Sequence, residues 1–133
     1  MGLDIKGNFK ESPKYHGGYG GFFRLRYNVA KAVMGEGIQI YDAWIKTTSK
    51  DSLEYIRMLN EKIYSYGAGF YKFVTSSDVG GNISYKDCKE IYDKIKESGL
   101  DFTFSYEGYD VPKDNIRDLM LECYSHRSKL VWY

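Results

Sequence analysis

At 133 residues, with 19 Lys and Arg against 18 Asp and Glu and a formal net charge of +1, the chain has the length of one domain that buries about two-thirds of the surface its unfolded form exposes. The balanced, interleaved charge leaves no electrostatic footprint for sequence-independent binding to nucleic acid or to an anionic membrane. Fourteen tyrosines stand out, each a stacking face with a polar tip, suited to ligand pockets, protein interfaces and half-buried cores alike.

In chain order, Leu3 and Ile5 alternate with Asp4 and Lys6 as in a short strand, and a polar loop follows through Pro13. A helix is expected to start near Gly21 and to stop at Gly35 and Gly37. Ile38 to Lys46, rich in β-branched and aromatic residues, reads as a strand with Asp42 and Trp44 on one face. Asp51 to Glu54 resembles a capping box, and Leu53, Ile56, Leu59 and Ile63 form a helical stripe that closes at Gly67. Phe70 to Val74 reads as a short aromatic strand or extended segment. Ser84 to Asp87 caps a helix whose Cys88, Ile91, Tyr92 and Ile95 share a face before Gly99 ends it. Phe102, Phe104 and Tyr106 alternate with Thr103, Ser105 and Glu107, the pattern of a half-buried strand. Pro112 should open a last helix with Ile116, Leu119, Met120 and Cys123 inward, before a final strand from Leu130 to Tyr133. The fold expected is α+β: a single domain over 1–133, with a mixed or antiparallel sheet and about four helices packed on it.

Most of the potential chemistry lies between Tyr15 and Arg26, where four glycines and His16 lead into the first helix. Glycines leave backbone N–H groups uncovered, and a helix start adds unpaired donors and partial positive charge, so a phosphate or carboxylate would fit there. Steps of 100° place Phe22, Leu25, Val29 and Val33 on one face with Phe23 and Ala30 beside it, and Arg26 falls inside that apolar arc. A guanidinium there needs a partner or a route to water. Two roles stay open for it, an ion pair with Asp4 or Asp42, or a grip on a ligand. Arg24, Asn28 and Lys31 face the other way. The glycine spacing matches neither the Walker nor the dinucleotide-binding loop, and a plain turn is its simpler reading.

The stretch from Ser76 to Asp87 has the outline of a calcium loop with Gly81 at the turn and Asp78 and Asp87 at two ligand positions, but Ser76 and Gly80 replace expected carboxylates. A glycine turn before a capped helix accounts for it, and neither metal nor cofactor is expected. The two histidines, His16 and His126, have no metal-ligand spacing. Cys88 and Cys123 read as small core residues, and with no signal peptide or long apolar run the setting expected is a reducing cytoplasm.

In Met1 to Ile5, Tyr19 to Arg24, Ser77-Asp78, Gly81 and Cys88, the chain resembles a family of small, largely uncharacterised phage and prophage proteins. These open Met-Gly-Leu-Asp-Ile, carry an aromatic-glycine segment running into an arginine-bearing helix, and have a Ser-Asp-Cys-Asp-Gly loop before a cysteine-bearing helix. Val79 and Gly80 stand where that family has Cys and Asp, which removes the second carboxylate. The resemblance implies a phage or mobile-element setting, hence the host cytoplasm, and brings no settled activity with it.

The function expected is binding without catalysis, with sequestration of a nucleotide-type immune signal of the host as the leading reading. His16, Gly18, Tyr19, Gly20, Phe23, Arg24, Arg26 and Asp78 are its candidate ligand residues. The alternative is a protein-binding inhibitor or adaptor that uses exposed tyrosines as anchors on a host protein. A second alternative is a small enzyme acting on a phosphorylated ligand through a dispersed His16, Asp78 and Arg26. Neither extended nucleic acid nor a membrane is an expected partner. A homo-oligomer stays open on grounds of economy, since two copies could build a ligand site between them.

Overall fold

The computed structural model describes the backbone of residues 2–76, 80–99, 103–106 and 109–133, and the side chains of 4–15, 21–76, 80–99 and 116–133. The chain opens with β1 (Gly2–Gly7) and β2 (Lys14–Gly18) and enters α1 (Tyr19–Met34) directly. Gly35, at φ 56°, ends α1 in a backbone region that suits glycine, and a single 3-10 turn leads into α2 (Ile38–Ile45). Then come α3 (Leu53–Tyr64), α4 (Ala68–Val74), β3 (Gly81–Ile83), α5 (Tyr85–Ser98), β4 (Thr103–Tyr106), β5 (Tyr109–Pro112), α6 (Lys113–Ser125) and β6 (Leu130–Trp132).

The architecture is α+β. Four strands form an antiparallel sheet in the order β2-β1-β6-β3, and β4 and β5 form a separate antiparallel pair beside β2 and α1. Ile5 lies opposite Trp132, and Ile83 opposite Leu130. These four side chains therefore share one face of the sheet, and all four are buried. Gly81 is the partner of Trp132 because nothing larger fits: a Cβ there would lie 2.7 Å from the indole ring. Phe22 of α1 and Phe73 of α4 close on the same indole, at centroid distances of 6.0 and 5.4 Å, and make the aromatic centre of the core.

Helices α1, α4 and α6 cover sheet strands, α5 packs across all three, and α2 with α3 forms an outer pair resting on α1 and α4. The four expected helices are present. Ser52 and Ser84 cap α3 and α5 through bonds to the N–H groups of Tyr55 and Asp87, and Gly99 ends α5 in the left-handed region. Ile116, Leu119, Met120 and Cys123 are buried along α6 as expected.

Two expected strands are helices. Residues 38–46 hold α2, where Tyr41 is buried and Ile38, Trp44 and Ile45 pack beside it at helical spacing. Residues 70–74 lie in α4, whose buried Phe70, Phe73 and Val74 stand at i, i+3 and i+4. In both, residue type argues for a strand and period for a helix, and burial follows the period. Gly81 to Ile83, expected within a turn, pairs with β6 instead. Leu53, placed on the inward stripe of α3, is 80% exposed. Pro112 closes β5, and α6 begins one residue later.

Candidate functional site

The glycine stretch is less of a loop than its composition suggests. His16 pairs with Asp4 in the β1–β2 ladder, Gly17 with Leu3 and Gly18 with Gly2, and Tyr19 and Gly20 already belong to α1. Lys14 forms an ion pair with Asp4 at 3.7 Å across these strands. Asp78 lies outside the described residues, and Arg24 is exposed on the side of α1 away from the core.

Arg26 sits where the helical period puts it, on the apolar arc beside Phe22, Leu25 and Val29, and is 8% exposed. Its guanidinium stacks over the Phe22 ring at 4.7 Å and lies 6.0 Å from Phe23, and Nη1 donates to the carbonyl oxygen of Ser76. Asp42, offered above as a partner for Arg26, instead accepts from the Tyr27 hydroxyl at 2.8 Å.

That contact places Arg26 at the C-terminal end of α4, where carbonyls lack helical partners and carry partial negative charge. Other groups complete the same end. Tyr41 of α2 donates to the Val74 carbonyl at 2.7 Å, Thr75 Oγ1 to Tyr71, and Ser76 Oγ to Phe73. Arg26 and Tyr41 thus reach the α4 terminus from two helices, and the space beside them is an open cleft of 340 Å³ lined by Phe23, Arg26, Tyr41, Trp44, Ile45 and Thr47. Trp44 stacks on Tyr41 at 5.5 Å with 24° between the rings. Phe23, on the lip, is 44% exposed.

Electrostatically, the cleft holds the Arg26 guanidinium beside the Tyr41 phenol. Burial pushes the Tyr41 hydroxyl up to about 12, against the opposing pull of Arg26. The hydrogen bond to Asp42, with burial second, raises Tyr27 as well.

Of the eight candidate residues, the cleft brings together Phe23 and Arg26, one helical turn into α1 from the glycines. The chain matches no protein-family model, no curated protein and no solved structure.

Tyr41, Trp44 and Ile45, and Thr47 just beyond them, are the cleft residues that sequence reasoning missed, because 38–46 read as a strand. The spacing of Ile38, Tyr41 and Ile45 at i, i+3 and i+7 is the signal that would have found them. In the former calcium-like stretch, Ser84 and Asp87 serve the helix: Ser84 Oγ bonds both the Asp87 N–H at 3.2 Å and the Asp87 carboxylate at 2.9 Å. His126 stacks on Phe9 at 4.1 Å with 7° between the rings. Among the described residues, no group of three or more His, Cys, Asp and Glu is placed to hold a metal ion, and no helix is long and apolar enough to cross a membrane.

Proposed function

We propose that this chain is a non-enzymatic binding protein that sequesters a nucleotide-type anion in the cleft between α1 and α2. The observation that carries the reading is the convergence of an exposed Phe23, a stacked Trp44 and the buried Arg26 guanidinium on one 340 Å³ space. Aromatic side chains stack on any base, each such contact contributing about 1–3 kcal/mol. A guanidinium supplies the planar donor pattern that phosphate oxygens accept. In the phage setting that the opening residues suggest, such a protein acts in the host cytoplasm, where removing a nucleotide signal blunts defence.

Calorimetry with AMP, ADP and cyclic dinucleotides tests this on the parent chain and on Phe23→Ala. Phe23 is the cleaner position, because Arg26 also holds α4 in place. The expected result is saturable binding of at least one probe, weakened about tenfold or more in the variant. Silence across all probes, or equal affinity in parent and variant, would overturn the reading.

A second reading, a docking surface for a host protein, is favoured by α3. Among the described residues, four of the seven exposed large hydrophobic side chains, Leu53, Tyr55, Met58 and Tyr64, belong to this helix. For this reading, capture of a host protein from lysate should be lost in a Leu53→Ser, Met58→Ser double variant. Under the sequestration reading the double variant keeps its ligand affinity.

A further inference from the structure

A second cleft, of 470 Å³, lies on the other side of α2, between that helix and the start of α3, and is lined by Gln39, Asp42, Lys46, Thr47, Asp51 and Tyr55. Thr47 lines the aromatic cleft as well, so both clefts reach the residues just beyond the C-terminal end of α2. Their chemistry differs. The first offers aromatic plates and one cation; the second offers two carboxylates, an amide, an ammonium group and one exposed ring.

From this juxtaposition the geometry points to a two-part ligand site, in which the aromatic cleft takes the base and phosphates of a nucleoside diphosphate and the polar cleft takes a terminal sugar joined to it. This rests on the nucleotide-binding reading above and names its ligand class.

Charge decides what the second cleft can hold. Asp42 and Asp51 outnumber Lys46, and the last carbonyls of α2 add partial negative charge, so a further phosphate is disfavoured there. Neutral hydroxyl groups are favoured, because carboxylates are strong acceptors. Asp42 uses one oxygen on Tyr27 and Asp51 uses one on the Thr48 N–H, and each keeps a second oxygen for a ligand. The side chains of Gln39, Lys46 and Tyr55 make no hydrogen bond among the described residues. Polar groups left uncommitted around one concave space are what a hydroxyl-rich ring needs, and the exposed Tyr55 ring gives its C–H face a surface to lie on. Each cleft falls in the ordinary size range for a small-molecule site.

The test compares ADP with ADP-ribose by calorimetry, since these probes differ by the terminal sugar. In the parent chain ADP-ribose should bind at least tenfold more tightly than ADP. In a Gln39→Ala, Tyr55→Ala double variant the ratio of the two affinities should collapse toward one, and because it is taken on a single protein, a general loss of folded molecules cancels. Equal affinity for the two probes in the parent, or an unchanged ratio in the variant, would overturn the two-part site while leaving ADP binding, and with it the proposed function, intact. Binding of neither probe would overturn this inference, and silence of AMP and the cyclic dinucleotides as well would remove the parent reading.

Discussion

The hydroxyl of Tyr41 on α2 donates to the carbonyl oxygen of Val74, the last residue of α4, across 2.7 Å. Tyr41 is 1% exposed, so this bond replaces water on both groups and pins the outer helix pair to the body of the fold. Tyr41→Phe keeps the ring and orphans the carbonyl. The expected loss is about 1–3 kcal/mol in urea unfolding, with an unchanged denaturant slope.

The same residue sets a pH dependence. Its hydroxyl is raised from an ordinary 10 to about 12. Below pH 10 folded and unfolded chains both keep the proton, and the contribution of Tyr41 is fully present. Between 10 and 12 the unfolded chain releases it first, so stability falls as pH rises, by about 1.4 kcal/mol for each unit traversed. Tyr15 and Tyr27 are raised too and add to the trend. Unfolding curves taken from pH 9 to 12 should fall less steeply for Tyr41→Phe than for the parent chain.

Gly69 of α4 lies directly against Asp87 of α5. A Cβ at this position would collide with the Asp87 side chain near its root, where Ser84 Oγ holds the carboxylate. In an exposed helix Gly→Ala gains about 1 kcal/mol. Here overpacking of about 1–3 kcal/mol opposes it, and the overlap with a restrained side chain makes the penalty the larger effect. Gly69→Ala should lower the melting temperature, and Ser84→Ala, which removes the cap and frees Asp87, should cost about 1 kcal/mol on its own. A double-mutant cycle should show the two substitutions to be non-additive.

What the sequence discloses and what it hides divide along a physical line. Where residue type and period agree, as in Leu59 of α3 or Leu119 and Met120 of α6, the element and its buried face are both legible. At Ile38 to Ile45 and Phe70 to Val74 they disagree. Branched and aromatic residues favour strands only as far as a pleated, half-buried surface is there to receive them, and here the receiving surface is other helices. Burial of Arg26 follows from its angle on α1 alone, whereas its contact with Ser76, fifty residues away, depends on how α4 ends. The cleft was legible only on its α1 side, since the α2 side required the helix that propensity concealed.

Cys88 of α5 and Cys123 of α6 are both fully buried. The neighbouring Cys123 thiol, and burial after it, push the Cys88 thiol up. Since the thiolate is the reactive form, the folded protein should react with an aromatic disulfide reagent no faster than it unfolds. Both thiols should titrate at once in guanidinium chloride. Rapid modification of either one in the folded state would mean that the α5–α6 contact opens locally at low cost.

Arg26 provides the sharpest separation of structural from binding roles. Its guanidinium is stacked on Phe22 and donates to Ser76, two tasks that use a planar, multidentate group. Arg26→Lys keeps the charge but presents a strongly hydrated ammonium in a site with little water access, and should cost about 1–3 kcal/mol of stability. Arg26→Met keeps the stem, fills the apolar arc, and strands the Ser76 carbonyl, for a loss of similar size. Urea unfolding of the two variants measures that structural share directly. Ligand affinity then discriminates, because a contact with phosphate oxygens requires the charge: Arg26→Lys should retain part of the ADP affinity and Arg26→Met should lose it, although the two are comparably destabilised. Equal affinity in both would confine Arg26 to its role at the end of α4 and leave phosphate binding to other groups.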